Sequence, residues 1–362
     1  MKKRQKSAMF TITGLILVLG VVFGLVYVSG QLSNDSEQAQ VRAYSSQLTA
    51  QDAKQTSSLS QPDHEVSYDF STDNFADPSA IKVGNHYYAY ATSTDGLNIP
   101  LATSDNGKKY RVKYDALPVL PSWAKKGIWA PHILSKNGKY FLYFSAKDKV
   151  TNKRSIGVAT SQWPDGPFIP DDEKVAENDA LGGLIDPATF SENGDTYLLY
   201  KNDGNAINLP SSIWIQKLTQ NGMRTDGAAY KLLTNTQVPN PVASGVSHPM
   251  TIEAPFLTKT PDGRYLLLFS GNSYATTNYF TGYATSTSLL TGYVYQSALL
   301  TTAGLEGQIK GPGGAELVAG EKSQQQLVLH GWVGDPKDKA TRKRKLYILP
   351  FSWTTTNQPQ IP

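Results

Sequence analysis

Apolar and polar positions along this chain fall into a module that returns five times: a proline-initiated apolar segment, a polar turn, an alternating aromatic strand, and in most copies a further strand. The first copy runs from Asp77-Pro78 to Val83, turns at Gly84-Asn85 and continues to Tyr90. The next three begin at Ala130-Pro131, Asp186-Pro187 and Glu253-Ala254-Pro255, with turns at Asn137-Gly138, Asn193-Gly194 and Asp262-Gly263. A degenerate fifth runs from Gly311-Pro312 through Leu327 to Trp332. Asn-Gly or Asp-Gly between two apolar runs marks a hairpin, because a type I′ turn needs positive φ at both central positions. Proline can open a strand, since the first residue need not donate to the ladder. Third strands are expected at Ile99–Ser104, Ile156–Ser161, Ile213–Lys217, Thr281–Ser286 and Lys345–Leu349, and Ala-Thr-Ser recurs in three of them. A spacing of roughly 55 to 70 residues between copies belongs to propellers or solenoids. The expected fold is all-β, a five-bladed β-propeller, over residues 66–362, with its last strand ending near Trp353.

The residues before this body read differently. Lys2, Lys3, Arg4 and Lys6 precede an apolar run from about Met9 to Val28, and no acid occurs in residues 1–30. Basic-then-apolar order is an export signal, so 1–30 is expected to be a hydrophobic helix, either a cleaved signal peptide or a retained transmembrane anchor. Residues 31–65 are rich in Ser, Gln, Asp and Ala and poor in aromatics, the composition of a flexible linker. These features place the body outside the cell, secreted or anchored, with the membrane touched only through the N-terminal segment if it is uncleaved. The formal charge of +4 is carried by the four N-terminal bases, which leaves a neutral body with no reason to bind nucleic acid. With 0 cysteines, disulfides, thiol catalysis and a lipidated cysteine are excluded. The basic run Arg342-Lys343-Arg344-Lys345 is expected to be a solvated hairpin that protects a sheet edge.

First strands of propeller blades line the central channel, so Asp77, Asp186 and Glu253 should converge near one axis. An Asp-Pro taken alone is a turn initiator. Three acids at the starts of repeats point instead to glycoside hydrolysis: one carboxylate activates water, one with a raised pKa protonates the leaving oxygen, and the third holds that acid and helps keep it protonated.

Asp77-Pro78, Ile185-Asp186-Pro187 and Ile252-Glu253-Ala254-Pro255, with Trp129-Ala130-Pro131, Ser270-Gly-Asn-Ser-Tyr274 and a late His330, resemble glycoside hydrolase family 43 over most of the body. The resemblance implies a five-bladed propeller and an inverting mechanism. Asp77 would be the general base, Asp186 the residue that orients and tunes the acid, and Glu253 the general acid. An inverting pair stands about 6.5–9.5 Å apart to admit water. In the family a histidine equivalent to His330 often faces a central cation, commonly calcium held through waters, so His330 is a candidate metal contact. The chemistry itself requires no cofactor. His132 stands where many relatives have aspartate, and Gly314 where many have histidine. His132 is read as a satisfied wall residue because no acid partner follows it in sequence.

Trp129 is either an aromatic wall for a sugar or packing between blades. Asn272 and Tyr274 are candidate substrate-binding residues, and Trp332 is assigned to the core. Only a few residues follow Trp353, which leaves no room for the β-sandwich that many xylosidases of the family carry. The expected partner is therefore a plant cell-wall polysaccharide or oligosaccharide, and the expected function an exported, inverting α-L-arabinofuranosidase or arabinan hydrolase. A β-D-xylosidase is the alternative, and a catalytically silent carbohydrate-binding propeller the third reading. Exo or endo action and oligomeric state are not legible.

Overall fold

The computed structural model describes residues 74–94, 96–240, 251–320, 324–338, 340 and 342–362. The expected signal or anchor at 1–30 and the linker at 31–65 lie outside the described residues. No helix among the described residues is long and apolar enough to cross a membrane.

Among the described residues, twenty strands form five four-stranded antiparallel sheets. Blade one contains β1 (Ser79–Val83), β2 (His86–Tyr90), β3 (Pro100–Ser104) and β4 (Arg111–Asp115). Blade two contains β5 (Trp129–Lys136), β6 (Lys139–Lys147), β7 (Arg154–Ser161) and β8 (Ile169–Pro170). Blade three contains β9 (Leu184–Glu192), β10 (Asp195–Asn202), β11 (Ser212–Leu218) and β12 (Thr225–Thr234). Blade four contains β13 (Ile252–Lys259), β14 (Tyr265–Gly271), β15 (Phe280–Ser286) and β16 (Val294–Leu300). Blade five contains β17 (Lys310–Ala319), β18 (Gln325–Val333), β19 (Lys343–Trp353) and β20 (Pro359–Gln360). The five-bladed propeller is the fold expected from the repeats, and every expected third strand is present. The sheet extends past Trp353, because β20 pairs with Ser352 and Trp353 as the outer strand of blade five.

Every inner strand opens in the same strained way. The residue before the proline is left-handed in all five copies: Asp77, Ala130, Asp186, Ala254 and Gly311 have φ of 51°, 40°, 55°, 50° and 59°. A proline pushes its predecessor toward extended backbone, so a non-glycine residue held here costs on the order of 1–3 kcal/mol. The pairing register skips at this point in blades two to five, which marks a bulge. The freed amides are tied to neighbouring blades. Ala130 donates to Thr92 Oγ1 at 2.9 Å, Asp186 to Ser145 Oγ at 3.0 Å and Asp77 to His330 Nδ1 at 3.1 Å. Gly314 donates to Ser270 Oγ at 2.8 Å.

Apolar cores lie between adjacent blades and close the ring. Leu101, Leu117 and Tyr90 meet Leu142 and Phe144 of blade two. Tyr143 and Val158 meet Leu198 and Tyr200 of blade three. Leu199 and Ile213 meet Leu267 and Phe280. Leu266 and Leu268 meet Leu327 and Leu329. Val328 and Leu346 meet Tyr87 and Ala89 of blade one.

A polar crossbar spans the axis. His132 Nδ1 lies 2.9 Å from Glu316 Oε1, joining inner strands of blades two and five, which are not neighbours. Ser79 donates to Glu316 Oε2 at 2.7 Å, and His132 Nε2 pairs with Thr189 Oγ1 at 2.9 Å. His132 is a buried wall residue, as expected, but it has an acid partner that lies far away in sequence. Replacing Glu316 by Ala strands the His132 and Ser79 donors, at about 1–3 kcal/mol for each buried donor without an acceptor. Urea unfolding of Glu316→Ala should show that loss; an unchanged midpoint would mean the crossbar does not hold the ring.

Candidate active site

The left-handed bulges turn side chains toward one mouth of the channel, where a cavity of about 440 Å³ is lined by Asp77, Asp186, Glu253, Trp129 and Tyr274 among others. Asp77 and Asp186 project from the residue before the proline. Glu253 projects from one residue earlier, opposite Ser270, the position that Trp129 holds opposite Ser145.

Each acid has a different set of partners. Asp77 Oδ1 accepts from Arg344 at 2.9 Å and Oδ2 from Thr92 Oγ1 at 2.6 Å. Burial alone would raise its carboxyl, but the Arg344 guanidinium and the Thr92 hydroxyl hold it below the usual carboxylate range. His330 remains neutral, because burial and the Arg344 cation push it down to about 3 against the pull of Asp77. The charge that keeps Asp77 ionised is therefore that of Arg344.

Asp186 goes the other way. Burial, and then the Glu253 carboxylate, push it up to about 7, while Lys201 pulls downward. Its Oδ2 accepts the Ala254 amide at 2.9 Å. Glu253 Oε1 accepts from Tyr279 Oη at 2.9 Å, and Oε2 from Lys201 Nζ at 3.0 Å. Asp186 thus keeps its proton to about pH 7 while Asp77 is ionised. One carboxylate poised as a base and a second group poised as an acid in the same cavity is the arrangement for hydrolysing an acetal.

Residues 70–359 match the family model described as Glycosyl hydrolases family 43. The chain belongs to that family. Xylosidase/arabinosidase 43A of Humicola insolens is 39% identical over 109 residues, 30% of this chain and 30% of that protein, so less than a third of that relative's length is matched. Extracellular endo-alpha-(1->5)-L-arabinanase 1 of Bacillus subtilis (strain 168) is 26% identical over 300 residues, 77% of this chain and 85% of that protein. Among solved structures, a thermostable family-43 glycoside hydrolase superimposes with a TM-score of 0.70 at 24% identity, covering 80% of this chain and 92% of that one.

The structure brings together all three acids that the sequence marks in this family 43 chain. Trp129 lines the cavity and is 41% exposed; one face of its ring is covered by Arg154, whose guanidinium carbon lies 3.2 Å from the ring centroid. Tyr274 is 44% exposed at the cavity wall, 5.1 Å from Arg344, and Trp332 supports it by donating to its carbonyl at 2.6 Å. Asn272 also lines the wall, but its amide donates to Asn240 and Asn278 and its oxygen accepts from Asn240, so it holds the rim.

Sequence reasoning missed the cations. Arg344 belonged to a run read as a solvated edge hairpin, yet its guanidinium is mostly buried against Asp77. The Arg344 strand, β19, pairs with β20 only at Ser352 and Trp353, away from the basic run. The available signal was its alternation with Lys343 and Lys345 along β19. Lys201 was signalled only by a charge inside the apolar run Leu198-Leu-Tyr-Lys201.

Direct calcium ligation by His330 does not fit these residues. The Asp77 amide can only donate, so Nδ1 accepts and the proton of the neutral ring sits on Nε2, which is buried without a protein partner. An N–H is placed to donate to an oxygen, that of a cation-bound water included, and not to ligate a cation itself. No cluster of three His, Cys, Asp or Glu residues among the described residues could hold an ion.

Two outcomes follow from this electrostatic layout. Carboxyl carbon NMR should show Asp77 more than half ionised at pH 3.8, the ordinary aspartate value, and the Asp186 proton leaving near pH 7. That late transition should vanish in Asp186→Asn, and its absence from the parent protein would refute the raised Asp186 carboxyl. Exhaustive treatment with EDTA should leave the melting temperature unchanged, whereas a drop would show an ion held through waters or by other groups.

Proposed function

We propose that this family 43 hydrolase cleaves α-L-arabinofuranosidic bonds in arabinan or arabinoxylan-type polysaccharides or oligosaccharides, with inversion at the anomeric carbon. The observation that carries the reading is the opposed setting of the acids, with Asp77 held ionised by Arg344 and a proton retained on Asp186 in the same cavity as Glu253. Asp77 takes a proton from the attacking water. Glu253 gives a proton to the leaving oxygen, and Asp186 orients and tunes that acid. Trp129 and Tyr274 offer exposed aromatic faces to the sugar on two sides of the cavity. The arabinan preference is supported by the length of the match to the Bacillus subtilis arabinanase. A β-xylosidase is the alternative, favoured by the relative whose printed name covers both sugars. A silent binding module would have no use for acids split in this way. Export by residues 1–30, as a cleaved signal or an anchor, agrees with a polymeric substrate outside the cell.

Incubation with arabinan, arabino-oligosaccharides, arabinoxylan and xylo-oligosaccharides should release arabinose or arabino-oligomers, with the β-anomer first in proton NMR. Retention would refute the mechanism, and xylose alone would move the assignment to the alternative. Asp77→Asn should abolish turnover while leaving sugar binding in place. Glu253→Gln should lose on the order of 10²–10⁴ in kcat on oligosaccharides and far less on an aryl arabinoside, whose leaving group needs little protonation.

A further inference from the structure

Lys201 departs from the blade repeat at the point where the site handles charge; blade five departs too, with Trp332 opposite Lys310 and His330 taking the next blade's amide. Thr92, Ser145, Lys201 and Ser270 occupy one position in successive blades, on or just after the second strand. Each faces the residue two before the proline, namely Ala76, Trp129, Ile185 and Glu253. Three of the four are small hydroxyls, and each accepts an inner-strand amide of the next blade. An ammonium has no acceptor capacity and cannot make that staple. In blade three the Asp186 carboxylate makes it instead, taking the Ala254 amide. Lys201 is thereby released from the scaffold's task, and its Nζ reaches across to Glu253 Oε2 at 3.0 Å, with Asp203 farther off at 3.6 Å.

Lys201 is 1% exposed. Burying an ammonium costs several kcal/mol before pairing, and a serine would have served the ring without that cost. The site is what gains. When a glycosidic bond is cleaved with inversion, the C–O bond breaks and its electron pair goes to the leaving oxygen. That oxygen bonds the Glu253 proton, a water oxygen bonds the anomeric carbon from the opposite face, and the water's proton passes to Asp77. Negative charge therefore disappears beside Arg344 and appears on Glu253.

We propose that Lys201 is the fixed counter-ion of the general acid: it stabilises the carboxylate that Glu253 becomes as its proton leaves, and anchors one oxygen so that the group presents that proton in a set direction. Lys201 has this role only if Glu253 is the acid, as proposed above. The interaction grows along the reaction coordinate, so it raises kcat more than it tightens binding. It is a positioning and charge-stabilising contact that does not require Lys201 to touch the sugar.

The test compares Lys201→Met, Lys201→Arg, Glu253→Gln and the double variant Lys201→Met/Glu253→Gln, on an arabino-oligosaccharide and on 4-nitrophenyl arabinofuranoside. Lys201→Met should lose about 10²-fold in kcat on the oligosaccharide, the scale for one preorganised donor, with a much smaller loss on the aryl substrate and KM little changed. The alkaline limb of its kcat profile should move to higher pH, because the cation that favours ionisation of the acid pair is gone. Lys201→Arg should retain most of kcat, and the double variant should lose no more than Glu253→Gln alone. Equal losses on both substrates with an unmoved alkaline limb, or additive losses in the double variant, would overturn the proposal. If Glu253→Gln itself shows no dependence on leaving group, it is the acid assignment that has failed. Should Lys201→Met not fold, Lys201→Arg and the double variant, which leaves no unpaired charge, decide by the same criteria.

Discussion

A left-handed residue before a proline opens each inner strand of this propeller, and the bond that holds its amide, or one close beyond it, comes from a neighbouring blade. This constraint does two things at once. It locks the blades to one another at the channel mouth, and it breaks the strand's alternation where a side chain must turn into the cavity. Asp77 and Asp186 sit on the strained residues themselves, so the backbone cost of order 1–3 kcal/mol is borne where the acids are displayed. Strain of this size persists because the inter-blade cores and the amide staples over-determine the conformation.

The same geometry sorts the charges. Asp77 and Glu253 each face one cation, Arg344 and Lys201, contributed by β19 of blade five and β10 of blade three. Asp186 has no cation in direct contact among its hydrogen bonds and is the carboxyl that retains a proton. Burial and the neighbouring Glu253 carboxyl make a further negative charge on Asp186 unfavourable, which is why its proton is retained far above the ordinary aspartate range.

Below the acids, the crossbar of His132, Glu316, Ser79 and Thr189 joins inner strands of four blades and satisfies its own members. It lets the channel interior close with side chains. His330, stacked on Tyr279 with ring centroids 5.7 Å apart, links Asp77 in blade one to the ring that holds Glu253 in blade four. Asp77 and Glu253 are thus tied through a short packed path.

The fold was legible because its signals are local and repeated. Asn-Gly turns, prolines and alternating aromatics each report on backbone within a few residues, and five copies removed the ambiguity of any one. The three acids were legible because they lie beside those prolines. The outer strands, such as the exposed β12 and the two-residue β20, left little trace, since a strand with one neighbour and a wet face needs no strict pattern. Arg344 read as a surface charge and His132 as a histidine without an acid, because Asp77 and Glu316 are brought to them by ring closure from far along the chain. Lys201 carried a faint signal, but its partner was set by a position shared across blades that only the superposed sheets reveal. Sequence determined the blades and the acids, whose causes are short-range. Tertiary structure alone decided which carboxyl is ionised and which keeps its proton, because burial and charge proximity are properties of the closed ring.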